Sequence, residues 1–175
     1  QGRGVVMSEV VPDGGTWRIG AREGVALSAR WWKWVWSAPE GCDPVRDATG
    51  RHAALNQPED LWFLAGTYGG RVVRRCEVPS GRPLFFPVLN RQNTFEYSPE
   101  PAAIPVARAE AHLNGVPLPL EEFQGVFRSP LWVRRHSWGL WGAVAPLSPG
   151  GYVLEIRADS GRGFRVDTTY HLTVV

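Results

Sequence analysis

Lysine is nearly missing from this 175-residue chain: of 19 basic residues only Lys33 is not arginine, and 17 acidic residues bring the net charge to +2. The densest basic groups, Arg71 with Arg74 and Arg75 and then Arg134 with Arg135, lie within alternating apolar segments and read as solvated strand faces. Nucleic-acid binders gather their cations on one face or in one run, so no nucleic-acid partner is expected. Long apolar runs are also absent, and none approaches the roughly 20 residues of a bilayer-crossing helix, so no membrane span is expected. The chain has no Cys-x-x-Cys, no His-x-His, no His-x-x-x-His and no Gly-x-Ser-x-Gly. Those gaps leave zinc-type metal sites and serine nucleophiles without a starting motif, and no metal or cofactor is expected.

What is present is apolar and heavily punctuated. Twenty Gly and 15 Pro are high, but 43% apolar residues and nine Trp oppose disorder, whose mark is a shortage of such side chains. Gly and Pro recur at intervals of about eight to twelve residues, and between them lie short runs with period two. The sequence therefore predicts a mostly β protein: a single antiparallel β-sandwich, immunoglobulin-like or jelly-roll, with one short Trp-rich helix. Residues 13–175 read as that one domain and residues 1–12 as an N-terminal arm or strand carrying Val5, Val6, Val10 and Val11.

The last run alternates most cleanly. Phe164, Val166, Thr168, Tyr170, Leu172 and Val174 share one face, and Arg165, Asp167, Thr169, His171 and Thr173 the other. With Tyr152, Leu154 and Ile156 before a Gly-containing link, residues 151–175 predict a hairpin. Other strands are expected at Leu61–Gly66, Val72–Val78, Leu84–Leu89 and Val106–Leu113, with two between Phe127 and Leu147. Asn114-Gly115 and Gly69-Gly70 read as tight turns, and the Pro-rich stretch 98–105 as an extended connection. Gly24 to Trp36 predicts a helix stopped by Pro39, with Leu27, Trp31, Trp34 and Val35 on one side and Trp32 stacked on Trp36; a strand is the alternative.

Cys42 and Cys76 are read as a disulfide, which in the chain-entropy view removes roughly 3 to 4 kcal/mol of denatured-state freedom; two free thiols are the alternative. With Gln1 in the first position and no charged-then-apolar leader, this reading favours an exported, mature chain.

Candidate chemistry is thin. Glu59 with Asp60, Glu121 with Glu122, and Asp43 with Asp47 are the local carboxylate pairs a glycosidase could use, against the plainer reading as solvated loop groups. His52, His112, His136 and His171 stand singly; His136 and His171 are those to inspect for a shared metal. Trp132, Trp138 and Trp141 are close in sequence and, if exposed together, would stack on sugar rings; the plainer reading is core.

Leu147-Ser148-Pro149-Gly150-Gly151-Tyr152 resembles the strand opening of fibronectin-type and other immunoglobulin-like sandwiches, which implies a tyrosine hydroxyl tied to backbone at the corner. More broadly, WWKWVWSAP, DATG, LWFLAGTYGG, RRCEVPSGRPLFFPVLN, LNGVPLP, FRSPLW, PLSPGGYVLEI and TTYHLTV are similar, in that order, to a family of exported bacterial β-sandwich proteins. The family often carries a second cysteine just after the DATG-like step, where Ala53 and Ala54 stand here. The resemblance implies export and architecture and brings no activity or functional residue. The resulting expectation is a secreted or cell-surface, non-catalytic structural or adhesive module, its partners copies of itself joined by the N-terminal strand. The alternatives are a polysaccharide-binding module using exposed Trp, and a secreted enzyme acting on an extracellular polymer.

Overall fold

The computed structural model describes residues 15, 17–94 and 103–175. The proposed assembly strand with Val5, Val6, Val10 and Val11 lies outside the described residues, as does most of the Pro-rich connection. The described chain has one helix, α1 (Ala21–Ser37), and nine strands: β1 (Trp62–Phe63), β2 (Gly70–Val78), β3 (Leu84–Thr94), β4 (Arg108–Leu113), β5 (Val116–Pro117), β6 (Glu121–Arg128), β7 (Arg134–Val144), β8 (Gly150–Asp159) and β9 (Arg165–Val174). They form two sheets, ordered β1-β3-β7-β6 and β2-β9-β8-β4-β5. The mostly β sandwich with one Trp-rich helix is as the sequence predicts.

The terminal hairpin follows its alternation. Val166, Thr168, Tyr170, Leu172 and Val174 are buried, and β8 pairs antiparallel with β9 from Gly150↔Val174 to Asp159↔Arg165. The tyrosine corner is present, the Tyr152 hydroxyl donating to the Ser148 carbonyl at 3.0 Å. Asn114 and Gly115 take φ of 48° and 78°, the left-handed values of a tight hairpin turn.

Two expectations about strand direction are corrected. The sandwich is not wholly antiparallel: β2 runs parallel to β9 over nine residue pairs, and β1 parallel to β3. Gly69-Gly70, with φ of 133° and 85°, is no hairpin turn but carries the chain from one sheet to the other. The Leu61–Gly66 strand shrinks to two residues because side chains capture the carbonyls beyond it. Trp31 Nε1 donates to Leu64 O, and Arg74 Nη1 to Ala65 O and Gly66 O.

Three layers result. One core fills the space between the sheets, with Phe86, Trp138, Leu154, Ile156 and Tyr170. A second lies between α1 and the outer face of the four-stranded sheet, with Leu27, Trp31, Trp34, Phe63, Phe85 and Trp141. β3 is therefore buried on both faces over Leu84–Leu89, which is why LFFPVL is a continuous apolar run. Pro87, which cannot donate to a ladder, sits where the β3–β7 register shifts. Helix and sheet interlock through glycine: a Cβ on Gly24 would lie 2.2 Å from the Phe123 ring, and one on Gly125 2.6 Å from Val25.

Candidate functional site

The two cysteines are free, which corrects the expected disulfide. Cys76 sits on the inward-facing side of β2 and packs against the inter-sheet core, whereas Cys42 lies in the turn after α1, its N–H bonded to Pro39 O. Separation along a chain carries no information about the Cα geometry a bridge requires. Burial, partly offset by Arg74, pushes the Cys76 thiol up to about 12, so it stays protonated at neutral pH.

Trp132, Trp138 and Trp141 do not form one face. Trp138 and Trp141 are 3% and 1% exposed, in the two different cores, while Trp132 is 77% exposed on the β6–β7 hairpin. Alternation along β7 sends positions 138 and 141 to opposite sides of the sheet, so closeness in sequence could not bring the rings together.

Of the carboxylate pairs, Asp43 and Asp47 line a common groove, where each already accepts from backbone N–H groups. Glu121 and Glu122 are successive strand residues on opposite faces. Asp60 is held by Arg30 at 2.6 and 2.9 Å. Asp43 accepts from Val45 N and pairs with Arg46. His112, His136 and His171 lie on β4, β7 and β9, and His52 in a loop. Among the described residues no three of His, Cys, Asp and Glu converge on a common point.

Among the described residues, a dense polar constellation lies under the DATG segment. Arg74 is 1% exposed and spreads its fork over the carbonyls of Asp47 (2.6 Å from Nε), Val45 (3.0 Å from Nη2), Ala65 and Gly66, and over the Tyr170 hydroxyl. That hydroxyl donates to Ala65 O and accepts from Ala65 N–H. Asp47 closes the loop above: its carboxylate accepts from the N–H groups of Thr49 and His52 and from the Thr49 hydroxyl. Burial alone would raise the Asp47 carboxyl, but the backbone donors at His52, Thr49 and Gly50 outweigh it and hold it below the usual carboxylate range. Thr49 O accepts from Arg75 N, seating the loop on β2. Open grooves of about 330 and 340 Å³ flank Arg46 and Asp47, and a smaller, partly open cavity of about 60 Å³ lies between Trp32, Tyr68, Asn90 and Phe164. Two buried donors lining the cavity, Trp32 Nε1 and Asn90 Nδ2, have no hydrogen-bond partner among the described residues. Around the grooves, by contrast, the Asp47 carboxylate is spent on the loop's own N–H groups, Arg46 pairs with Asp43 and lies over Tyr68, and Arg51 donates to His52.

The opposite holds at the β6–β7 tip, Ser129–Val133. Trp132 N–H bonds Ser129 O at 2.8 Å and Ser129 N–H bonds Val133 O at 2.9 Å, closing a three-residue loop. Trp132 takes φ of 61° there, the left-handed place that such hairpins ordinarily give to glycine. Arg128 Nη1 donates to Trp132 O and pins it. Leu131 and Trp132, 84% and 77% exposed, both project into solvent. Sequence reasoning grouped Trp132 with the wrong partners; the signal that singles it out was available in Ser-Pro-Leu-Trp, a turn with no glycine to take the left-handed residue.

No protein-family model matches the chain, and no curated protein matches it.

Proposed function

We propose that this chain is a non-catalytic adhesive module of the cell exterior, a rigid sandwich whose working surface is the β6–β7 tip. The observation that carries this reading is Trp132: a bulky exposed side chain in a backbone conformation with φ of 61° that penalises it. A left-handed residue with a Cβ costs roughly 1 to 2 kcal/mol, and a ring this exposed recovers little of that by packing. Strain without a packing return is the pattern of a residue kept for contact with something else.

The sign of one substitution tests it. Trp132→Gly is expected to stabilise the fold by about 1 kcal/mol, raising the melting temperature by about 3 °C, because glycine accepts the conformation freely. Trp132→Ala keeps the strain and is expected to melt close to the parent. Both are expected to abolish retention on immobilised extracellular polysaccharides, proteins or bilayers that hold the parent. If Trp132 were placed for packing, both substitutions would lower the melting temperature.

A further inference from the structure

The tip's surroundings point to a particular chemistry. Directly opposed residues on paired strands share a face, so the pairs Arg91↔Trp138, Val126↔His136 and Arg128↔Arg134 put Arg91, Arg128, Arg134 and His136 on the side of the sheet where Trp138 enters the inter-sheet core. At the tip end this face is open: Arg91, Arg128 and Arg134 are exposed, and Val126 is 47% exposed. β3 and β7 contain no Asp or Glu, and the two on β6, Glu121 and Glu122, stand at its far end. Arg135, on the opposite face, lies over Trp36 with its guanidinium carbon 5.1 Å from the ring centroid. The described tip end is thus cationic.

The order of chemistry along the hairpin is layered. Leu131 and Trp132 form the extremity, and the first strand pair behind them is Arg128↔Arg134. That sequence of apolar group, indole, then cation matches the boundary of an anionic bilayer, where acyl chains give way to the interface and then to phosphates. A protein partner fits less well, because a stable interface takes about 800 Å² per side around an apolar centre, and here arginine begins one residue pair behind two protruding side chains.

We propose that the Ser129–Val133 tip docks this protein peripherally on an anionic lipid bilayer. Leu131 and Trp132 enter the acyl boundary, and Arg128 and Arg91, both exposed on the face behind them, engage lipid phosphates. The proposal rests on the reading of the tip as the working surface and supplies its partner.

The test is co-sedimentation of the full chain with vesicles of phosphatidylcholine alone and of phosphatidylcholine mixed with phosphatidylglycerol. Each basic side chain near such a surface adds about fivefold to partitioning, so Arg128 and Arg91 together favour the mixed vesicles by up to about 25-fold, a preference removed by about 0.5 M salt. Leu131→Ser and Trp132→Gly are expected to cut binding by about tenfold or more. Arg91→Gln, which leaves the Arg128 bond to the Trp132 carbonyl in place, is expected to reduce only the anionic preference, by about fivefold or less. Equal binding to the two lipids, or undiminished binding by Trp132→Gly, overturns the proposal. Retention on heparin–agarose with no vesicle binding overturns the bilayer in favour of a polyanionic chain. Absence of vesicle binding together with a raised melting temperature for Trp132→Gly overturns the bilayer and leaves the tip as the working surface. A lowered melting temperature for Trp132→Gly overturns the reading of the tip itself.

Discussion

The Arg74 network and the β6–β7 tip invert each other. In the first, a guanidinium that belongs in water is 1% exposed and all its bonds go to protein oxygens; in the second, a leucine and a tryptophan that belong in a core are 84% and 77% exposed. A buried polar group that is fully satisfied is explained by the fold, because the carbonyls around it need a donor as much as it needs acceptors. An exposed apolar group on strained backbone is not explained by the fold. Accordingly, the polar-rich DATG region, the natural place to look for chemistry, reads as scaffold, and the apolar tip reads as the surface that meets a partner.

Removing the hub is the severest way to break this contrast. Arg74→Met is expected to destabilise by about 4 kcal/mol or more, since the carbonyls of Val45, Asp47 and Gly66 each lose the donor they have in Arg74. Arg74→Lys is expected to recover little of this, because an ammonium cannot span the oxygens that the planar fork reaches together. The neighbouring exposed Arg75→Met serves as control, with a change within about 0.5 kcal/mol. Urea unfolding measures all three, and a mild Arg74→Met would mean the site is available for something other than structure.

The next largest effect concerns one backbone region used in opposite ways. Gly50 has φ of 93°, and a Cβ there would lie 2.3 Å from the Arg75 carbonyl oxygen. Gly50→Ala therefore meets both strain and a backbone collision and is expected to cost about 3 kcal/mol by urea unfolding. Trp132→Gly, the mirror substitution, carries the opposite sign. The buried end keeps glycine where the backbone demands it, and the tip does without.

How legible each region was in the sequence follows from the same physics. The terminal hairpin, the Asn114-Gly115 turn and the tyrosine corner are local patterns in which side-chain alternation and turn chemistry agree, and they form as expected. The parallel β2–β9 pairing joins segments far apart in sequence, and nothing in Val72–Val78 encodes its partner's direction. Arg74 looked like one of several solvated arginines because it falls in a run with Arg71 and Arg75, yet alternation already places 74 on the face opposite its neighbour. A disulfide and a three-Trp platform both assumed that closeness or pairing along the chain becomes closeness in space. Strand alternation separates the Trp rings, and each cysteine belongs to a different piece of structure.

The smallest effect sharpens the scaffold reading through pH. The folded state holds Asp47 below the ordinary carboxylate value, so as pH falls the unfolded chain takes up its proton first. The stabilisation is whole above about pH 4 and is lost as pH drops through the lower, folded value. Asp47→Asn removes this dependence by a different route. Its Oδ1 can still accept from Thr49 N, but the amide nitrogen in the place of Oδ2 faces the His52 N–H, donor against donor. The variant is expected to be less stable than the parent by about 2 kcal/mol at pH 6, with that gap narrowing toward pH 3 because only the parent has a carboxylate there to neutralise. Urea midpoints of the two proteins across that range measure it. A gap that stays constant would mean that Asp47 is not the proton-sensitive clasp of the loop, and that the groove beside it holds a carboxylate free for another use.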